Sequence, residues 1–544
     1  MKNQTLLLFS IAICFLLIFQ NCDTKVPPVP IPSDGWRMPI DVEDGKKRED
    51  WLEFGWKSFI ALNWPADNDW PNAGNGGRPA MDMNITDKDA AKKHAVWQTY
   101  LEPGQLFLEG AKDPGTWDSP VKSIHSVEDG DERLPVFGGF GDKGVFFANQ
   151  NPVVGLVLYD LAITPNPVID QSKNFVLLEV RLNQSEFEYF KEYGYYDACK
   201  QSVALQDNSF KFIPTTGKAS LPEWAQQGGV ETKASWKILV DGVDIEDRYF
   251  TTKGYYLTPD NQIDGPHTFG LTGLHILRNT DKSSKTWFWT TFEQVDNVKI
   301  YDENPPNKPN GKGKIIPSFN PGPAGYEPEY TYGYDIKDRL NFRLLDSIQP
   351  PYFGNLVIEP PRLDSGDTLP KKEDRRRVNC SRVFDIPDDV QNLNKAYQER
   401  LKGTPWQHYE MIDVQYPDSL GLYQVQKPDG EQHNPRIYAN TPALVNTTME
   451  TYLAFKPSNW AIDNCLNCHF QAEPRSFGNK LETKKATQAF SYLYRRALPE
   501  HPISDTIFIE NTIRDTCKNK WVIKRDTILP SIFDCKPVEY WIKN

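Results

Sequence analysis

The order of apolar and polar residues predicts helices in three segments of the chain. Residues 48–64 read REDWLEFGWKSFIALNW, with apolar positions three and four apart, which predicts an amphipathic helix that Pro65 ends. A second helix is predicted over 87–101, where Lys and Ala are frequent, and a third over 387–401, with Gly403 just beyond its end. Helices are therefore expected on both sides of the middle of the chain.

The pattern between residues 135 and 300 is that of strands. Short β-branched or aromatic runs separated by turn residues occur at 144–148, 153–159, 175–180, 235–240, 273–277 and 286–292. They predict an antiparallel sheet with helical decoration. We therefore expect an α+β fold, with a β-rich central domain and a mainly helical C-terminal segment.

Two stretches are candidates for domain boundaries in this chain of 544 residues, which is long enough for two or three domains. One is the Pro/Gly-rich segment 302–334, and the other is 360–377, which ends in KKEDRRR. After the second stretch, the pattern of apolar and polar residues becomes that of helices. We therefore predict a β-rich α+β domain over 48–370 and a C-terminal region over 371–544.

The N-terminus has the pattern of an export signal. Lys2 precedes an apolar run over 6–19, which is too short to span a bilayer but suits a signal peptide, predicted here as residues 1–21. The following FQNC resembles a bacterial lipobox, whose Cys22 would be acylated, and the Pro-rich residues 22–47 would be a tether. An ordinary cleaved signal with an incidental cysteine is the alternative. We expect an exported, periplasmic or cell-envelope lipoprotein anchored to the membrane through Cys22.

The amino-acid composition predicts a folded protein and argues against one class of partner. Hydrophobic residues make up 39% of the chain and include 15 Trp, 24 Tyr and 29 Phe, which predicts a folded globular body. The formal net charge of −12 argues against a nucleic-acid partner.

The chain has eight cysteines, and four of them are candidates for disulfides in an exported protein. Cys517 and Cys535 are close in sequence, whereas Cys199 and Cys380 would form a long-range link. Buried thiols are the alternative, especially for the second pair.

The segment Cys465-Leu466-Asn467-Cys468-His469 has the C-x-x-C-H pattern of covalent haem attachment. Thiols three positions apart share one side of a helical turn, within reach of two vinyl groups, and the adjacent imidazole can bind the iron. The pattern predicts one covalent haem c on Cys465 and Cys468, with His469 as a metal ligand. The alternatives are a zinc site, which usually needs a second paired motif, a redox-active cysteine pair, and chance.

Three further segments resemble a family of large, single-haem bacterial proteins described as cytochrome c family proteins. They are GLTGLHILRNT with WFWTTFEQVDNV in 270–298, WKSFIALNWP in 56–65, and ANTPALVNTTMETY in 439–452. The resemblance covers roughly residues 50 to 475. It implies haem binding and electron transfer but no particular substrate.

The sixth ligand of the iron is left open by the sequence. No methionine follows His469, so Met449, 16 residues before Cys465, is the candidate distal thioether. Its alternative role is core packing. His275 and His501 are further candidates for a distal ligand or a distal acid/base group, and an open sixth position is also consistent with the sequence.

The remaining candidate functional residues are charged. Glu293 and Asp296 could support the haem site, or they could form hydrogen bonds from strand ends to loops. The basic run 371–377 could dock an acidic redox protein, or it could be a solvated linker.

The function predicted from the sequence is periplasmic electron transfer through one haem, with a redox protein as partner. The first alternative is a haem-dependent oxidoreductase, peroxidase-like or oxygen-using, because electron carriage alone needs only one small domain. The second is a surface-anchored binding module with an accessory haem.

Overall fold

The centre of the structure is one eight-stranded β-sheet to which both halves of the chain contribute. The structure is a computed structural model. It describes residues 29–67, 76–121, 126–129, 132–141, 170, 172, 174, 176–213, 215, 223–257, 263–283, 287–298, 317–319, 386–426, 432–439, 444, 446–449, 465–469, 472, 474, 491–497, 507–515 and 520–528.

The strands in these residues form one eight-stranded sheet and three two-stranded pairs. They are β1 (Gly115–Thr116), β2 (Ser119–Pro120), β3 (Ser126–Asp129), β4 (Glu132–Gly141), β5 (Leu177–Leu182), β6 (Val230–Ile238), β7 (Thr251–Leu257), β8 (Ile263–Arg278), β9 (Phe288–Gln294), β10 (Tyr409–Gln415), β11 (Pro417–Gln426), β12 (Gln432–Ala439), β13 (Ile507–Asp515) and β14 (Lys520–Ile528).

The α-helices in the described residues are fewer than the strands. They are α1 (Arg48–Leu62), α2 (Pro103–Leu106), α3 (Gln184–Glu192), α4 (Ala198–Gln206), α5 (Glu223–Gln226), α6 (Asp388–Arg400) and α7 (Cys465–His469), with short 3-10 helices that include Ala90–Lys92, Val96–Thr99 and Tyr492–Arg496. Among the helices that the structure describes, none is both long enough and apolar enough to cross a membrane.

The sheet is antiparallel except for one pair of strands. Its order is β10-β9-β8-β6-β5-β4-β3, and β7 pairs in parallel with β4 and antiparallel with β8. Strand β10 lies on the C-terminal side of the boundary predicted at 370, yet it forms the edge of this sheet beside β9. The two predicted domains therefore share one sheet.

Helix α1 covers one face of the sheet near β9 and β10. A Cβ atom added at Gly55 would lie 2.7 Å from Met411 Cε, so glycine permits a close approach of α1 to the sheet. The Trp56 ring stacks on Tyr397 of α6 with 4.7 Å between centroids, and its indole N–H donates to Asn394 Oδ1 at 3.1 Å. This aromatic packing fixes α1 and α6 together on one side of the sheet, leaving the other face for the C-terminal segment.

The α+β class predicted from the sequence is confirmed. The helices predicted over 48–64 and 387–401 are α1 and α6, and the runs at 175–180, 235–240, 273–277 and 286–292 fall in or overlap β5, β6, β8 and β9. The runs at 144–148 and 153–159 and the predicted boundary at 370 lie outside the described residues.

Two expectations differ from the structure. The helix predicted over 87–101 was wrong: the segment forms two short 3-10 helices, Ala90–Lys92 and Val96–Thr99, and residues 95–101 are all buried. The C-terminal region also holds more strand than a mainly helical segment would. That expectation rests on the spacing in 387–401, whereas 409–415 is a strand, buried except at Glu410, that completes the sheet.

Candidate haem-attachment site

The C-x-x-C-H motif forms a single helical turn, α7, which lies against the end of β10. The fully buried Leu466 donates its backbone N–H to Gln415 Oε1 at 3.0 Å. The half-buried Cys465 thiol donates to the carbonyl oxygen of Leu444, with 3.8 Å between sulfur and oxygen. The turn is thus held by the sheet on one side and by residue 444 on the other.

The His469 ring is held between two aromatic side chains. Its centroid lies 4.3 Å from that of Trp289 and 4.7 Å from that of Tyr492, with interplanar angles of 61° and 67°. Trp289 is directly opposite Gln415 in the pairing of β9 with β10. The sheet therefore contacts α7 through two neighbouring residues, which orient the imidazole and the turn together.

A second segment, residues 446–449, lies on the same face of the sheet. The Asn446 amide donates to Thr291 Oγ1 at 2.8 Å and to the carbonyl of Phe292 at 3.1 Å. The Thr448 and Ser235 hydroxyls are 2.6 Å apart. We call residues 446–449 the docked loop, because its polar side chains are paired with groups of β6 and β9 in the core.

Gly273 of β8 makes room for the docked loop. A Cβ atom at this position would lie 2.8 Å from the Asn446 Nδ2, Thr448 Oγ1 and Ser235 Oγ atoms. Real Cβ contacts are essentially never this short, so the loop needs a residue without a side chain here. This explains a glycine within the fully buried part of this strand.

The candidate distal ligands Met449 and His275 both reach this region. Met449 is 1% exposed, and its N–H donates to the Asn446 carbonyl at 3.2 Å. His275 is buried and lies opposite Thr291. Side chains alternate along a strand, so His275 lies on the same face of the sheet as Gly273 and Leu277. Gly273 contacts the docked loop and Leu277 lies opposite Trp289, so His275 is placed between the docked loop and Trp289.

Glu293 and Asp296 hold loops by hydrogen bonds. Glu293 accepts from the N–H and the hydroxyl of Thr447 at 2.8 and 2.5 Å, and is fully buried. Asp296 instead forms a two-pronged ion pair with Arg248 at 2.6 and 2.7 Å. Glu293 is thus part of the site, whereas Asp296 belongs to a separate cluster.

The remaining predicted residues have different outcomes. Cys199 is in a disulfide bond. The candidates outside the described residues are Cys22, Cys380, Cys517, Cys535, His501 and the basic run 371–377. The disulfide partners, the lipid anchor and the docking run therefore stay predictions. Cys468 lies in α7, where its backbone completes the helical turn.

Sequence reasoning missed Trp289, Gln415 and a buried pair of glutamates, Glu186 and Glu231. The segment NQSE at 183–186 matches a capping pattern at a helix start, which favours a surface role for Glu186. The structure buries that side chain completely. No signal in the pattern of β6 distinguishes Glu231 from an ordinary strand residue.

The donor set fits a haem attached through thioethers. A thiol at Cys465, a second cysteine one turn later and an adjacent imidazole supply the groups that such attachment needs. Leu466, Met449 and Trp289 supply buried apolar surface in this region.

Comparison with known proteins identifies no relative. The chain matches no protein-family model, no curated protein and no solved structure.

Proposed function

We propose that this chain is an exported c-type cytochrome that carries one covalent haem and transfers electrons. Cys465 and Cys468 would form the two thioether bonds, and His469 would bind the iron. The observation that carries the proposal is the position of α7, whose imidazole is oriented by Trp289 and Tyr492 on a buried sheet face. The family resemblance of 270–298 and 439–452 adds to it, because residues from both segments meet beside α7.

The bound haem would supply one-electron chemistry, with its iron cycling between two oxidation states. The side chains of the chain would set its environment. Trp289 and Tyr492 keep the His469 ring in one orientation, and Leu466, within the turn, is fully buried. Such an orientation reduces the reorganisation that accompanies electron transfer, because the ligand is already in place.

A second candidate function is a haem-dependent oxidoreductase. It is favoured by His275, a titratable side chain on the sheet face that lies between the docked loop and Trp289. An imidazole in that position could assist proton transfer to a ligand at an open sixth position. Met449 as the sixth ligand would instead favour the carrier.

The location and partners belong to the same proposal. A lipid on Cys22 would hold the body at a membrane surface. Ile31 and Val42 of the predicted tether 22–47 are buried in the core, so only the part before residue 31 would act as a tether. A redox protein would exchange electrons with the haem.

The proposal is tested by absorption spectra of the full chain matured with c-type attachment machinery. We expect a covalent haem that is lost in the double variant Cys465→Ser/Cys468→Ser. We also expect His469→Ala to retain the covalent haem but to change its spin state. His267→Ala is the matched control, because His267 is partly exposed and pairs with Asp264. A spectrum that His469→Ala leaves unchanged would contradict the role of His469.

Two further variants distinguish the functions. Met449→Leu should convert a low-spin six-coordinate spectrum to a five-coordinate one if Met449 is the distal ligand. His275→Ala should do so if His275 is. A wild-type spectrum that shifts on addition of cyanide or peroxide supports the oxidoreductase, whereas an inert low-spin spectrum supports the carrier.

A further inference from the structure

Two buried glutamates face each other between α3 and β6. Glu186 is completely buried, and neither of its carboxyl oxygens has a hydrogen-bond partner in the part of the chain that the structure describes. Its Oε1 atom lies against the backbone of Gly229, where an added Cβ would be 2.9 Å away. Glu231, two residues later on β6, is the neighbouring carboxyl. A buried polar group without a partner is rare in proteins and points to a role for it.

The helix start explains why Glu186 is left without a partner. In a capping box, the glutamate at the third helical position accepts the N–H of the cap residue. Here the N–H of the cap residue, Asn183, donates to the Val230 carbonyl at 3.1 Å. Asn183 Oδ1 accepts from the N–H groups of both Glu186 and Val230, at 3.2 and 3.1 Å. These bonds tie α3 to β6 and turn the Glu186 carboxyl into the protein interior.

The charged and titratable groups around the pair come from three other elements. Glu231 is hydrogen-bonded by Ser491 and attracted by Arg496. Arg496 is the last residue of the 3-10 helix Tyr492–Arg496, and Ser491 directly precedes that helix. Tyr494 of the same helix faces both carboxyls, and its hydroxyl donates to Tyr189 at 2.9 Å. The last groups are Tyr100, which faces Glu186, and Arg278 of β8, which faces Tyr100.

The charge balance of this cluster favours retention of a proton. The guanidinium of Arg496, which attracts Glu231, offsets one carboxylate but not two. Burial, with the neighbouring Glu231 as the second cause, raises the pKa of Glu186 well above its usual value. Burial also raises the pKa of Glu231 to about 7, against the opposing effects of Ser491 and Arg496. The pair therefore retains a proton at pH values at which an exposed glutamate is ionised.

The pair is structurally connected to the His469 site by two routes. Ser491, which bonds to Glu231, directly precedes Tyr492, whose ring packs on His469. Glu231 also lies opposite Leu277, which in turn lies opposite Trp289, the other ring against His469. Two steps between neighbouring strands are roughly 10 Å, so a charge on Glu231 lies close enough to act on the haem site through buried protein.

We propose that Glu186 and Glu231 form a proton-binding site whose occupancy follows the oxidation state of the haem. The inference rests on the proposed function. When a donor protein delivers one electron to the haem, the carboxyl pair takes up one proton from water, and a carboxylate becomes a carboxylic acid. When the electron leaves, the O–H bond breaks and the proton returns to water. The net charge of the buried region is thereby conserved.

The test is the midpoint potential of the haem as a function of pH between 5 and 9, on the full holoprotein. We expect the potential to fall as pH rises, because the proton binds more tightly to the reduced form. A tenfold difference in proton affinity between the two forms corresponds to about 59 mV, and we expect at least this difference. Glu231→Gln and Glu186→Gln should each remove most of the pH dependence. The matched control Glu192→Gln, an exposed position on the same helix, should retain it.

An infrared difference spectrum between the oxidised and reduced protein provides the second readout. We expect a band of a protonated carboxyl group that shifts in D₂O and disappears in the variants. A potential that does not change with pH in the wild type overturns the inference, even if neither variant folds. A pH dependence that survives both substitutions also overturns it. Protein without covalent haem would instead contradict the proposed function itself, so the two failures are distinguishable.

Discussion

Glu293 of β9 accepts two hydrogen bonds from Thr447, one from the backbone N–H at 2.8 Å and one from the hydroxyl at 2.5 Å. The two residues are 154 positions apart in the sequence. Both are buried, so the carboxylate replaces the water that the Thr447 groups would otherwise bind. This contact holds the docked loop on the sheet beside α7.

Removal of the Glu293 carboxylate should loosen this part of the fold. Glu293→Ala leaves two buried donors of Thr447 without their acceptor, which costs about 1–3 kcal/mol for each group. We expect the free energy of unfolding, measured by urea titration, to fall by about 3 kcal/mol. The control Glu399→Ala removes an exposed carboxylate, paired with Lys402, and should change stability by about 1 kcal/mol at most. Equal effects of the two substitutions would contradict the anchoring role.

A methyl group at position 273 should displace the docked loop. Gly273→Ala brings Cβ to 2.8 Å from three polar atoms of Ser235, Asn446 and Thr448. Overpacking of this kind costs about 1–3 kcal/mol. We expect lower thermal stability and faster limited proteolysis of the C-terminal segment, whereas Ile263→Ala, at an exposed position of the same strand, should leave both nearly unchanged. Unchanged proteolysis of Gly273→Ala would show that the loop does not need the glycine.

Stability should decrease as pH rises through neutrality. Because the folded protein raises the pKa of Glu186 and Glu231 above the unfolded value near 4.5, the native state binds more protons than the unfolded state in this range. The free energy of unfolding therefore falls as pH rises from about 4.5 through 7, by on the order of 2 kcal/mol. Denaturant titrations at pH 5, 6, 7 and 8 measure this slope. Glu186→Gln should reduce it and Glu192→Gln should not, and a wild-type curve that is flat over this range would contradict the shifts.

The disulfide of Cys199 should connect distant parts of the chain. We predict Cys380 as its partner and a second bridge between Cys517 and Cys535. Peptide mapping of non-reduced protein identifies the pairs directly, and Cys199→Ser should lower stability by about 2–5 kcal/mol. A map that links Cys199 to any other cysteine would replace the predicted pairing.

Local patterns predicted the elements that have one buried face or a continuous apolar run. Strand β9, buried at every position, is an example of the second kind. Helix α1 was predicted from apolar residues three and four apart, although only Glu53 and Lys57 within 51–62 are not buried. The segment 95–101 departs from its predicted helix because tertiary packing buries every one of its side chains. The prediction rested on the frequency of Lys and Ala, which does not report how the segment packs in the fold.

The sequence singles out the residues of the candidate site but not their surroundings. Cys465, Cys468 and His469 form a local motif, so their spacing is sufficient to recognise them. Trp289 and Gln415 reach α7 only because β9 and β10 pair in one register. Glu186 and Glu231 meet because Asn183 fixes α3 on β6. Such contacts depend on long-range topology, which a single sequence does not specify.

The most direct test of the central claim is the haem content of the mature full-length protein, produced with c-type attachment machinery. A pyridine haemochrome spectrum together with an intact mass measures it. We predict one haem per chain that stays attached after denaturation and is absent from the Cys465→Ser/Cys468→Ser variant. Colourless protein in which both cysteines are thiols or hold zinc would contradict the cytochrome assignment.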